Sequence, residues 1–335
     1  MAGRSRSDQF HALRSREDMT DQDLATAQTW HSPTTILVVG MHRSGTSLLA
    51  HIVNLMGAFV GTSAELVPAH PSINPTGFWE RVDVVGEHDH FLQQNGFGWA
   101  TVANFDVDRI AEERKRELVS SLHDIVAGMA HGTMPLVIKD PRLCLFLPVW
   151  QGLVAAPVHV FVVRDPRKVA ASLMASYPDS FTTDFLVALW QKYVQAALAA
   201  LHGQRVLFVA YTNLLDDAPA QQQRLQHGLQ ELGASGLSCL SAERLRVEVN
   251  ARLDRSEPSP HAHLSAEQQR LFDWLALQCE AEGPVEVADV PAIPSPDAVL
   301  VELEKVRRAC MRSGWKMAVE DARSRPRSAL EARAG

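Results

Sequence analysis

Thr35-Ile36-Leu37-Val38-Val39-Gly40-Met41-His42-Arg43-Ser44-Gly45-Thr46-Ser47, followed by Leu48, Leu49, Ile52, Val53 and Met56 at helical spacing, decides the fold. The apolar, β-branched run reads as a buried strand, the Gly/Ser stretch as a tight turn, and the periodic apolar residues as a helix that Gly57 stops. A strand that turns directly into a helix aims backbone N–H groups and the positive end of the helix dipole at one spot. That makes an anion site, and its glycines let the chain approach phosphate oxygens closely.

The spacing of Gly40 and Gly45 is that of a nucleotide triphosphatase loop, but such a loop continues with Lys and then Ser/Thr. Thr46 and Ser47 stand there instead, and the cation has moved inside the loop as Arg43. From there it can point at the oxygen between a donor phosphate and a transferred group. A nucleotide triphosphatase also needs magnesium held by an acidic strand end, and no apolar strand of this chain ends in a lone Asp. Phosphate binding is the expectation. A kinase or nucleotide triphosphatase, or a non-catalytic binder of adenosine bisphosphate, are the alternatives.

Outward from this segment, strands alternate with helices. The pattern predicts a helix over Asp108 to Ala130, a strand over Pro135 to Ile138 ending in Lys139-Asp140-Pro141-Arg142, and a strand over Val158 to Val163. Asp165 then caps a helix whose first turn holds Pro166. A helix over Thr183 to His202 and a strand over Val206 to Ala210 follow; beyond Asn213 only helices are expected, at 219–232, 241–249, 265–282 and 296–322. Alternation of this kind implies right-handed crossovers and a mainly parallel sheet. The fold class is therefore α/β, a three-layer sandwich as in nucleotide kinases, with a C-terminal helical cap. Residues 1–32 read as a mobile leader, 33–323 as one domain (33–215 the α/β core, 216–323 the cap) and 324–335 as a frayed tail.

Composition narrows the partners. A formal net charge of −7 argues against non-specific binding to nucleic acid or an acidic membrane surface, so any anion site is a local cluster of cations. Cys144, Cys239, Cys279 and Cys310 lie far apart, without metal-ligand or disulfide-framework spacing, and read as reduced thiols in a cytoplasmic protein. No apolar run approaches the roughly 18 to 20 residues of a membrane span. Nothing in the pattern sets an oligomeric state.

Arg43-Ser44-Gly45-Thr46-Ser47 resembles the 5′-phosphosulfate loop of sulfotransferases that use 3′-phosphoadenosine-5′-phosphosulfate, of the form basic-Ser-Gly-Thr-Ser/Thr. That family reads the donor's 3′-phosphate with an Arg at a later strand end and a Ser eight residues on, and Arg164 and Ser172 in VVRDPRKVAASL fit. Asn74-Pro75-Thr76-Gly77-Phe78-Trp79-Glu80 and Lys139-Asp140-Pro141-Arg142 look like segments of its bacterial branch, so the resemblance spans about residues 34 to 215. The Arg-Lys-Gly loop of the cytosolic branch has no clean match; Arg312-Ser313-Gly314-Trp315-Lys316 is a faint echo, and Arg252 or Arg255 are substitutes.

The resemblance implies a donor site of Arg43, Ser44, Gly45, Thr46, Ser47, Arg164 and Ser172, with His42 grouped with them as a loop residue that either contacts substrate or packs within the loop, and a hydroxyl or amine acceptor on a small molecule, glycan or lipid. Sulfuryl transfer needs in-line geometry and stabilisation of charge on the bridging oxygen, for which Arg43 is the candidate. The acceptor must lose a proton. Glu80 is the first choice of base, with His88 and then His90 as alternatives on a helix. Lys139 and Arg142 either add charge beside the donor or pair with Asp140. Trp79 adjoins the base, whereas Trp99, Trp150, Trp190 and Trp274 read as core or helix packing in preference to acceptor stacking. No metal is expected, because adjacent His88, Asp89 and His90 do not share a face.

Overall fold

The computed structural model describes residues 34–71, 73–130, 132–178, 180–249, 257 and 262–309. The expectations for the leader at 1–32, the tail at 324–335, Cys310, Arg252, Arg255 and Arg312 to Lys316 lie outside the described residues.

β1 (Thr35–Val39) is buried along its whole length because it is covered on both faces. Its side chains alternate between two cores. Leu37 and Val39 join Ile138, Phe161 and Phe208 on one face, while Ile36 and Val38 join Val137, Val160 and Leu207 on the other. These partners come from β2 (Leu136–Lys139), β3 (Val158–Val163) and β4 (Arg205–Ala210), all parallel, in the order β2-β1-β3-β4. β5 (Val285–Glu286) adds an antiparallel edge beside β4. Two residues leave no periodicity to read, which is why the sequence pattern shows only helices there.

The helices are α1 (Thr46–Leu55), α2 (Val82–Gln94), α3 (Glu112–Met129), α4 (Leu143–Leu153), α5 (Pro166–Ser176), α6 (Thr183–Ala200), α7 (Tyr211–Asp216), α8 (Ala218–Glu231), α9 (Ala242–Glu248), α10 (Ala266–Gln278) and α11 over 297–309. α1, α8 and α9 send Leu49, Leu225 and Leu245 to the Ile36 face. α2, α4, α5, α6 and α10 send Phe91, Phe146, Val169, Phe185 and Leu271 to the Leu37 face, completing three layers. Asp165 caps α5 by accepting from the Arg167 N–H, with Pro166 in the first turn.

α4 goes against local propensity. Its run LCLFLPVWQGL is apolar on every side and carries Pro148, which disfavours helix interiors. Burial of seven of its eleven residues, on more than one side, leaves no amphipathic period, and packing between neighbouring helices overrides the proline.

β1 lies between β2 and β3, so the chain leaves it in opposite directions for its two neighbours. That reversal opens a crevice at the carboxyl ends of the strands, where open α/β sheets bind ligands. Among the described residues, no helix is long and apolar enough to cross a membrane.

Candidate active site

The turn after β1 is built on backbone that side chains resist. Gly40 has a φ of 153°, and a Cβ there would meet Thr46 Cγ2 at 2.9 Å and the Val162 carbonyl oxygen at 3.0 Å. Gly45 has a φ of 98° and caps α1, and its Cβ would lie 2.1 Å from Tyr211 Cδ2. Gly45 has no side chain to cap α1, so the first-turn N–H groups are left for an anion. Arg43 adopts a left-handed φ of 67° between them.

Three separated segments converge on Arg43. Its Nε donates to Ser172 Oγ on α5 at 2.9 Å, and its Nη2 to the Ile73 carbonyl at 3.0 Å. Arg164, at the end of β3, donates from Nη1 to the Arg43 carbonyl at 2.6 Å. The Arg164 guanidinium also sits 4.6 Å from the ring centre of Tyr211, the first residue after β4. Arg164, Ser172, Ser44 and Tyr211 are all buried.

Lys139, at the end of β2, is buried too. Its Nζ donates to Ser47 Oγ at 3.1 Å, to the Phe78 carbonyl at 3.0 Å and to Glu80 Oε1. Burial pushes the Glu80 carboxyl above its ordinary pKa, and the adjacent ammonium only partly offsets this. A basic carboxylate and an ammonium thus share one end of α1 with the turn that follows β1.

One cavity of about 240 Å³ is lined by eight of the residues singled out from the sequence: His42, Arg43, Gly45, Thr46, Ser47, Glu80, Arg164 and Ser172. Lys139, Trp99, Tyr177 and Tyr211 line it as well. Tyr211 was legible in principle, because it directly follows a parallel strand. Trp99 arrives on a long irregular connection between α2 and α3, for which residue spacing carries no signal.

His88 is not among them. It is fully buried, stacked on Phe146 at 4.5 Å, and both ring nitrogens are engaged. Nδ1 meets Asp140 Oδ2 at 2.7 Å and Nε2 meets Trp150 Nε1 at 3.0 Å. Trp150 can only donate, so His88 Nε2 accepts and Nδ1 carries the proton toward Asp140. With no nitrogen left for a substrate proton, His88 is a core residue, on the buried stripe of α2 with Val84 and Phe91. His90 bonds Gln94 at 2.8 Å in a different cleft, between α2 and α3.

Arg142 lines the cavity too, and it makes the ion pairs as well. It bonds Asp140 Oδ1 at 2.9 Å and grips Asp89 at 2.7 and 2.8 Å. Burial pushes the Asp140 carboxyl up, but Arg142 and His88 outweigh it and hold the group well below the carboxylate range. The Trp79 ring stacks on His51 at 4.2 Å. No group of three or more metal-ligating side chains gathers among the described residues.

The sulfotransferase family matches residues 33–231, more than half of the chain, and the chain belongs to that family. The matched span contains β1 to β4 and every cavity residue named above. Similar solved structures include the sulfotransferase domain from the Synechococcus PCC 7002 olefin synthase, at 18% identity and a TM-score of 0.38, covering 81% of this chain and 94% of that one. A second is the sulfotransferase domain from the curacin biosynthetic pathway, at 15% identity and a TM-score of 0.38, covering 81% and 96%. A third is sulfotransferase STF1 from Mycobacterium tuberculosis H37Rv, at 12% identity and a TM-score of 0.39, covering 77% and 80%. No curated protein matches the chain.

Proposed function

We propose that this member of the sulfotransferase family takes the sulfuryl group from 3′-phosphoadenosine-5′-phosphosulfate and passes it to a hydroxyl or amine of a small-molecule, glycan or lipid acceptor. The observation that carries the reading is the meeting of Arg43 with Arg164 and Ser172 in the cavity that also holds Glu80 and Lys139. Two cationic readers on different strand ends suit a ligand with phosphates at two ends. A nucleotide triphosphate presents a single chain of phosphates.

In this reading the turn N–H groups, Arg43, Thr46 and Ser47 hold the 5′-phosphosulfate, and Arg164 and Ser172 take the 3′-phosphate. The acceptor oxygen attacks sulfur in line, and the bond from sulfur to the bridging phosphate oxygen breaks. Adenosine 3′,5′-bisphosphate leaves with that electron pair, and the acceptor proton passes to Glu80. Lys139, bonded to Ser47 and Glu80, partly offsets the rise in proton affinity that burial gives the carboxylate, and offsets charge growing on the bridging oxygen. Cys144, Cys239 and Cys279 are free thiols, which suits a reducing, cytoplasmic setting.

A thermal-shift comparison tests the donor. Adenosine 3′,5′-bisphosphate should raise the melting temperature without added metal, and ATP with magnesium should do much less. Larger stabilisation by ATP that grows with magnesium would overturn the reading in favour of a kinase.

A further inference from the structure

His42 belongs to the phosphate turn by sequence, yet its ring packs elsewhere. It lies 4.8 Å from Trp99 and 5.7 Å from Tyr193, centre to centre. It lines the cavity shared by Arg43 and Glu80, and its Nε2 is shut from solvent without a hydrogen-bond partner in the protein. Leaving a buried donor or acceptor unpaired costs about 1–3 kcal/mol, so an unpaired nitrogen on a residue that lines a cavity calls for a partner. Burial, and after it the Arg142 guanidinium, hold the imidazole well below its ordinary pKa. The ring is therefore neutral, with one donor and one acceptor nitrogen.

The wall beside His42 is aromatic. The Trp99 carbonyl accepts from the Tyr193 hydroxyl at 2.6 Å, which anchors this part of the irregular connection to α6. Tyr177, at the end of α5, lies 5.5 Å from Trp99 and is substantially exposed at the cavity mouth. Phe181 backs both rings, at 5.6 Å from Trp99 and 6.2 Å from Tyr177. Aromatic faces beside a single unpaired nitrogen suit a flat or chair-shaped ring that carries a polar substituent. A long alkyl chain would leave that nitrogen uncompensated.

Resting on the sulfotransferase reading, we propose that His42, Trp99 and Tyr177 form the acceptor subsite, and that the acceptor is a ring-bearing alcohol. One hydroxyl faces Glu80 and a second hydrogen-bonds His42 Nε2 once the ring turns to bring that atom to the cavity wall. His42 thereby selects and positions the acceptor instead of holding the donor phosphates. Phenolic and sugar rings share this chemistry, and the probes below separate them.

Calorimetric titration in saturating adenosine 3′,5′-bisphosphate reads the subsite with two matched pairs. These are 4-nitrocatechol against 4-nitrophenol, and tetrahydropyran-3,4-diol against tetrahydropyran-4-ol. In one pair the member with the additional hydroxyl should bind wild-type protein about tenfold more tightly, the size of one good hydrogen bond. His42→Phe should erase that advantage, and His42→Gln, whose amide nitrogen reaches the Nε2 position, should keep it. Both variants should bind the bisphosphate as wild type does, which reports on folding. If His42→Phe loses bisphosphate binding, His42→Asn, which reaches only the Nδ1 position, carries the same comparison. The subsite is overturned if no probe binds, if neither pair differs, or if the advantage survives without a group at Nε2. A wild-type protein that fails to bind the bisphosphate overturns the donor reading as well, so the two failures are told apart.

Discussion

Arg43 and Ser172 stand 129 residues apart in the chain, and Arg43 Nε donates to Ser172 Oγ at 2.9 Å. The proposed reader of the phosphosulfate and one proposed reader of the 3′-phosphate are thus bonded to each other across the crevice. Arg164 ties the same turn from the other side, through the Arg43 carbonyl.

Arg164→Ala should therefore act twice. It removes a charge-assisted contact to the 3′-phosphate, worth about 1.5–3 kcal/mol, or roughly ten- to hundredfold in affinity. It also loosens the turn, so adenosine 5′-phosphosulfate, which lacks the 3′-phosphate, should lose a smaller amount. Titration of both ligands checks this, and equal losses would show that Arg164 only supports the turn.

Glu80→Gln should leave bisphosphate affinity nearly intact while turnover falls by about a hundredfold to ten-thousandfold, the range for loss of a general base. It also strands the buried Lys139 ammonium, and removing one partner of a buried pair destabilises by about 3–5 kcal/mol. Adding Lys139→Met should restore the melting temperature but not the rate. Recovery of both would make the pair purely structural.

His88→Gln should do the opposite of Glu80→Gln. It breaks a fully buried chain from Trp150 through His88 to Asp140, so denaturant midpoints should fall. The specific activity of the folded protein should stay within a few-fold of wild type. A collapse in rate without loss of stability would return His88 to the chemistry.

Gly45→Ala should abolish bisphosphate binding, since the new Cβ meets the Tyr211 ring and the residue holds a φ of 98°. Pairing it with Tyr211→Ala relieves the clash but not the backbone strain, so titration should show only partial recovery. Full recovery would assign the whole effect to the ring.

His159 on β3 predicts a pH dependence of stability. It is buried, its Nε2 has no partner, and burial lowers its pKa to about 4. The unfolded chain takes up the proton near pH 6.5, before the folded protein does, so stability falls as pH drops from about 6.5 toward 4. The full effect is on the order of 3 kcal/mol. Chemical denaturation across that range should show His159→Leu with a flatter profile than wild type, and parallel profiles would remove His159 from the account.

The run from Thr35 to Met56 was sufficient to establish the strand, the turn and the helix, because these depend on local periodicity and on glycines that permit tight turns, and it carries the expectation of an anion site. The alternation that followed set the parallel sheet, and Arg164 and Ser172 were legible because strand ends and helix turns fix where neighbouring residues point. Spacing along the chain could not decide between His88 and Glu80. Both stand near one turn in sequence, and only the packing of α2 against α4 sends the imidazole into the core. Lys139 and Arg142 read alike, as cations beside Asp140, until folding gave Arg142 to Asp89 and Asp140 and brought Lys139 to Glu80. α4, β5 and Trp99 stayed hidden for the same physical reason: what holds each in place is a tertiary partner, which leaves no period in the chain that carries it.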